Sequence, residues 1–189
     1  MAIEITSVKA IYEGWAKYLV ATVRLPDGQI VMREIEDHGT AACVLPYDMQ
    51  RKTAILVEQF RAPVMFATRR PKMLEAIAGT MDEADPIATA RREAFEEAGL
   101  QIDTLEPVTT AWTMPGISTE RMSLFLAPYT QCNRIGAGGG LRHEHEMITV
   151  REIPLSDLAD MADSERLDDM KTLLLVQTLR LRHPKLFTH

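Results

Sequence analysis

Between Gly79 and Leu100 the chain carries a segment whose conformation is constrained at both ends. Asp85 is a helix N-capping side chain, and Pro86 directly after it has the fixed φ that suits a first helical turn. No breaker interrupts Ala88-Thr89-Ala90-Arg91-Arg92-Glu93-Ala94-Phe95-Glu96-Glu97-Ala98, and Gly99 supplies the left-handed position at which a helix ends. On that helix Glu93 stands three residues before Glu96 and four before Glu97, so all three carboxylates leave from one side. Each like-charged pair at this spacing costs about 0.2–0.5 kcal/mol in an exposed helix, and more when buried. Either the face is solvated and partly neutralised by Arg91 and Arg92, or it holds a cation. Mg²⁺ meets the second requirement, since it takes hard carboxylate oxygens and completes its shell with waters and phosphate oxygens; Mn²⁺ suits the same ligands.

The remaining pattern surrounds this helix with strands. Ile3 to Glu36 is β-like, with Tyr18–Leu25 and Gln29–Arg33 flanking the turn signal Pro26-Asp27-Gly28. Thr40–Leu45 and Thr53–Gln59 bracket a second turn-rich stretch, so two adjacent hairpins are expected. After the helix come strand-like Thr104–Thr113, a Pro115-Gly116 turn, Arg121–Pro128, a glycine-rich loop at Gly136–Gly140, and Ile148–Ile153. Leu155–Ala162 and Asp169–Arg182 read as terminal helices. Strands, one helix, strands and terminal helices in that order predict an α+β sandwich rather than an alternating parallel sheet.

With 189 residues, 46% of them hydrophobic, the chain can bury a sizeable core as one globular unit. Its formal charge of -6 and lack of a basic stripe argue against a nucleic-acid partner. No stretch approaches the roughly 20 apolar residues of a membrane span, and the amino terminus lacks a secretory pattern. Only Cys43 and Cys132 are present, without metal-ligand spacing. A soluble, cytoplasmic protein with no membrane partner is expected.

Gly79, Arg92, Glu93, Ala94, Glu96, Glu97, Gly99 and Leu100 together resemble the box of the Nudix hydrolases. That box reads Gly, five residues, Glu, seven residues, Arg-Glu, an apolar residue, any residue, Glu-Glu, any residue, Gly and an apolar residue. Here Asp85 replaces the first Glu and the spacer Pro86–Arg91 is one residue short. The short box with Pro after the acid resembles bacterial GDP-mannose pyrophosphatases more than ordinary ADP-ribose pyrophosphatases. Further likeness to this nucleotide-sugar branch lies in Arg33-Glu34, Asp37-His38-Gly39, Glu58-Gln59-Phe60-Arg61, Met114–Arg121 and Gly138-Gly139-Gly140 followed by Glu144 and Glu146. The resemblance implies a Nudix fold, an α/β/α sandwich with a mixed sheet, over residues 39–189, with the box at 79–100. It also implies an amino-terminal antiparallel sheet over residues 1–38 that joins a homodimer, whose active sites are completed across the interface.

The same resemblance implies site roles. Glu93, Glu96, Glu97, Glu146 and the Ala78 carbonyl would hold Mg²⁺, with Glu96 also counted as catalytic, and Gly79, Arg92 and Gly99 would support them. Glu144 would be the general base and Glu146 a further metal contact, with the reverse assignment open; the glycine run before them is expected to give their loop its freedom to approach a bound substrate. Taken alone, Arg142-His143-Glu144-His145-Glu146 also reads as a polar surface tip, and its two histidines point to opposite sides of an extended chain. Arg33 and Arg61 suit diphosphate oxygens, although a surface ion pair is the commoner use of an arginine. Trp15 is a base-stacking residue or a core or interface tryptophan; Glu120 would meet a ribose or sugar hydroxyl, and Lys171 matches a substrate-binding motif of the branch. The expected activity is Mg²⁺-dependent hydrolysis of a nucleoside diphosphate sugar, GDP-mannose before ADP-ribose. A non-catalytic nucleotide-sugar sensor on the same fold would have shed box carboxylates, and all are retained.

Overall fold

The computed structural model describes residues 2–81, 84–141 and 146–188. Strands β1 (Glu4–Glu13), β2 (Lys17–Arg24) and β3 (Ile30–Asp37) form an antiparallel sheet in that order. The β2–β3 turn closes as its residues require: Gly28 takes φ 88°, the Leu25 N–H donates to Gln29 O at 2.8 Å, and the Asp27 carboxylate accepts the Gln29 N–H at 3.0 Å. β1 is an edge strand exposed along all ten residues.

A second, seven-stranded sheet completes an α+β mixed-sheet fold. Its strands are β4 (Ala41–Asp48), β5 (Thr53–Gln59), β6 (Met73–Glu75), β7 (Ile77–Thr80), β8 (Glu106–Trp112), β9 (Arg121–Pro128) and β10 (Thr149–Pro154). The order is β10-β5-β4-β9-β8, with β6 paired to β5 and β7 to β4. β4 is buried at all eight positions, so both of its faces are covered. On one face Ala42 and Val44 join Ile55, Val57 and Ile77 against Ala90, Ala94 and Ala98 of α2 (Pro86–Ala98). Alanines at that four-residue spacing form a narrow stripe that lets the helix lie close to the sheet. Against the opposite face, α3 (Leu155–Asp163) and α4 (Met170–Arg182) bury Leu155, Leu158, Leu175, Val176 and Leu179. Each such leucine contributes about 1.5–3 kcal/mol of apolar burial.

By backbone contacts the chain forms two compact units: Met1–Thr40 with Thr110–Met122, and Ala41–Thr109 with Ser123–His189. One short helix between β5 and β6, α1 (Ala62–Thr68), was not expected from the sequence. It buries no residue and has no side-chain cap, so apart from Pro63 in its first turn it leaves neither a buried apolar face nor a capping residue to read.

Candidate active site

The box helix ends where its chemistry dictates. Asp85 is extended and accepts the Ile87 N–H at 2.8 Å, Pro86 opens the helix, and Gly99 closes it at φ 68°. Leu100 N–H donates to Ala94 O at 3.0 Å and Gly99 N–H to Phe95 O at 2.9 Å, satisfying carbonyls of the last turn. The acid that departs from the family pattern, Asp85, is therefore the N-cap.

The buried stripe of α2 includes Glu93 and Glu97 beside the alanines, while Glu96 is half-buried at its margin. Glu97 is 2% exposed, and its Oε2 is a buried oxygen without a hydrogen-bond partner among the described residues. Burial, reinforced by the charges of Glu93 and Glu146, pushes its carboxyl up to about 8, against the opposing pull of Arg61 and a backbone hydrogen bond from Ala78. Arg92 binds Glu93 at 2.8 Å and Glu96 at 2.9 Å and donates to Thr80 O at 3.2 Å, so it ties two carboxylates to the end of β7. Gly79 leaves the space that the Glu93 carboxylate occupies: a Cβ there would fall 1.8 Å from Glu93 Oε1 and push that carboxylate aside.

Gly136–Gly140 was expected to loosen the loop before Glu146, and the structure shows a different use. Ile135 and Gly136 N–H groups both donate to Gly99 O at 3.0 Å, Gly139 N–H to Glu97 O at 2.8 Å, and Gly140 N–H to Glu96 O at 3.1 Å. The loop thus caps the carboxyl end of α2. Gly138, Gly139 and Gly140 all have positive φ, and backbone stands where a Gly138 side chain would go. Glu146 follows, its Oε2 accepting the Leu141 N–H at 2.8 Å. Glu144 lies outside the described residues, as do Arg142, His143 and His145.

Arg61 and Lys171 both bind the buried Glu75, Arg61 through two hydrogen bonds. Arg61 keeps 41% of its side chain exposed and Lys171 only 15%. In the other unit, Trp15 stacks on His38 with ring centroids 4.6 Å apart, and His38 sits between Glu36 and Glu120, 3.2 Å from Glu120 Oε1. Burial alone depresses the His38 imidazolium, but the hydrogen bonds and charges of Glu36 and Glu120 outweigh it and hold its pKa above the ordinary value. Trp15 is 78% exposed, which excludes the core reading and leaves one ring face open. Arg33 is exposed, donates to Met32 O at 2.8 Å, and lines a cavity of about 420 Å³ with Trp112, Pro115, Ile117 and Thr119.

Residues 37–174 match the NUDIX domain. The chain is 38% identical to a GDP-mannose pyrophosphatase of Cronobacter sakazakii over 159 residues, 82% of each chain. It is 36% identical to one of Pectobacterium atrosepticum over 186 residues, 95% of each. The chain belongs to the Nudix family. A crystal structure of an ADP compounds hydrolase shares the fold of this Nudix hydrolase, with TM-score 0.75 at 15% identity over 98% of this chain and 96% of that one.

Members of the Nudix family use Mg²⁺. Among the described residues no three acidic, imidazole or thiol side chains converge as a ready cage. The donors fit the ion nonetheless. They are hard oxygens, Glu97 Oε2 is buried and unpartnered, Glu93 and Glu146 repel Glu97, and Mg²⁺ keeps several waters rather than demanding an all-protein shell. Two groups the sequence reading assigned no role are Glu75 and His38. The signal for Glu75 was a lone acid inside Met73-Leu74-Glu75-Ala76-Ile77, a residue type buried only when paired.

Proposed function

We propose that this Nudix hydrolase cleaves the diphosphate of a nucleoside diphosphate sugar, with GDP-mannose favoured. Water attacks one phosphorus, the bridging P–O bond breaks, and a nucleoside monophosphate and a sugar phosphate leave. The observation that carries this reading is the buried, unpartnered Oε2 of Glu97, on which the charges of Glu93, Glu146 and the Arg61 cation act. The relatives named above, 38% and 36% identical, support the substrate.

In this reading Glu93, Glu96, Glu97, Glu146 and the Ala78 carbonyl hold Mg²⁺, which when bound neutralises phosphoryl charge and acidifies a water. Arg92 sets the angle of Glu93 and Glu96. Glu144 takes the proton of the attacking water; a Glu144→Gln protein that keeps parental kcat transfers that role to Glu146. Arg61 and Arg33 meet diphosphate oxygens, Lys171 serves the sugar side, Trp15 stacks its open face on the base, and Glu120 accepts from a hydroxyl. Phosphate release in the presence of added phosphatase is expected to depend on Mg²⁺ and to give a kcat/KM for GDP-mannose at least about tenfold above that for ADP-ribose. A preference for ADP-ribose overturns the substrate; no product from any nucleotide sugar overturns catalysis and leaves a sensor.

We also propose that residues 1–38 dimerise the chain, with active sites completed across the interface. β1 presents Ile5, Val8, Ile11 and Tyr12, each more than half exposed, on an uncovered sheet edge. Such an edge invites pairing and is normally covered or charged. Light scattering is expected to give twice the chain mass for the parent and the chain mass for an Ile5→Lys, Val8→Lys double variant, with activity lost alongside. A monomeric, fully active parent rejects the dimer.

A further inference from the structure

Glu75 ends β6, is 2% exposed, and stands four residues before Gly79 of the box. A bare carboxylate at that depth is strongly disfavoured unless it is paired. Here Arg61 meets it fork to fork, Nε donating to Oε1 at 2.7 Å and Nη2 to Oε2 at 3.1 Å, and Lys171 Nζ donates to Oε2 at 2.5 Å. These partners outweigh burial and hold the Glu75 carboxyl below its ordinary range. Lys171 also donates to Asp169 Oδ1 at 3.0 Å, Asp169 Oδ2 accepts the Thr172 N–H at 3.1 Å, and the Ala76 N–H donates to Thr172 Oγ1 at 2.6 Å. One network therefore joins Arg61, two residues past the end of β5, the β6–β7 segment that leads into the box, and the first turn of α4.

The two ends of the Arg61–Glu75 pair differ in exposure. Glu75 is sealed, whereas Arg61 keeps 41% of its side chain in solvent. The fork uses the Nε–H and one Nη2–H, so the remaining N–H donors of the guanidinium stay available on its open side. That cation and Glu97 act on one another electrostatically. An untethered arginine under the influence of Glu97 would swing onto that carboxylate and neutralise it, and it would lose its rotamer freedom on meeting a phosphate. Tethering from behind prevents the first and prepays the second.

We propose that Glu75 is a positioning residue for the diphosphate: it holds the Arg61 guanidinium, with the Lys171 ammonium beside it, facing the substrate and off the carboxylate helix. The proposal rests on Arg61 as a diphosphate contact. The test compares Glu75→Gln, Arg61→Ala and the double variant in the full-length enzyme with GDP-mannose and Mg²⁺. Arg61→Ala is expected to lower kcat/KM on the order of 10²-fold, and Glu75→Gln to raise KM about tenfold with kcat within about threefold. In the Arg61→Ala background Glu75→Gln is expected to cost under about twofold, because the group it positions is gone. A purely structural Glu75 would lower the Tm and the active fraction, leave KM alone, and give losses that multiply in the double variant; that result overturns the proposal. Impaired Arg61→Ala with parental Glu75→Gln removes Glu75 alone, whereas parental Arg61→Ala removes the Arg61 reading and Glu75 with it. Should Glu75→Gln fail to fold, Glu75→Asp keeps the charge and withdraws the carboxylate by one methylene, with the same KM rise and the same loss of effect without Arg61 expected.

Discussion

Glu97→Gln is expected to lower kcat/KM on the order of 10³-fold while the protein stays folded. The substitution keeps the shape of a side chain that is 2% exposed and removes only its charge. Its effect on stability depends on metal. In EDTA the folded Glu97 carboxyl titrates near 8, against 4.5 for an unhindered one, so the folded state binds the extra proton between those values. A folded pKa above the unfolded one makes the parent lose stability as pH rises from about 4.5 to about 8, and the slope ends above that. Glu97→Gln lacks this slope, so in EDTA at high pH the variant is expected to melt at or above the parent. Saturating Mg²⁺ reverses the order: an ion at about 100 times its Kd stabilises the parent by about 2.7 kcal/mol, and the variant gains little of it. Melting curves with and without Mg²⁺ check this, and a variant that keeps both activity and the Mg²⁺-dependent rise takes Glu97 out of the metal site.

That contrast explains what was legible in advance. Helix α2 was readable because its determinants are local: a capping Asp85, Pro86, alanines every fourth residue and a terminating Gly99. β9 was bounded as expected at Arg121–Pro128 because a turn and a proline frame it. The sequence pattern placed Glu93 and Glu97 on one side of a helix, but not their depth, since burial follows from how closely the alanine stripe approaches β4 and β7. β6 and β7 passed unread, being three and four residues long and defined only by pairing to β5 and β4. Glu75 was invisible as a site residue for a related reason, because its partners stand 14 and 96 residues away along the chain. Trp15 could be named but not placed until His38 was found beneath it.

The glycine loop was legible as glycine and misread in purpose, and Gly138→Ala is the change that exposes the difference. A loop whose glycines supply only freedom tolerates alanine, or even gains about 0.4–1 kcal/mol from a stiffer unfolded state. Gly138 is instead at φ 67°, and a Cβ there would lie 2.5 Å from Glu97 O and 2.7 Å from the Ala98 backbone. The left-handed conformation costs alanine about 1–2 kcal/mol, and backbone cannot turn aside as a flexible side chain does. The loop must lift from the end of α2, breaking the hydrogen bonds from Gly139 to Glu97 O and from Gly140 to Glu96 O. Those carbonyls lie in the last turn of the helix, so the same movement withdraws Glu146 from Glu97, whose charge it now influences. A displacement of about 1 Å at a reacting group costs on the order of 10²-fold in rate, and Gly138→Ala is expected to lose at least that much in kcat, with the Tm reduced by several degrees. Gly116→Ala is the control, since a Cβ there meets nothing within 4 Å. If Gly138→Ala keeps parental kcat and melting temperature, the loop is not an anchored cap, and the delivery of Glu146 to the carboxylate helix needs another cause.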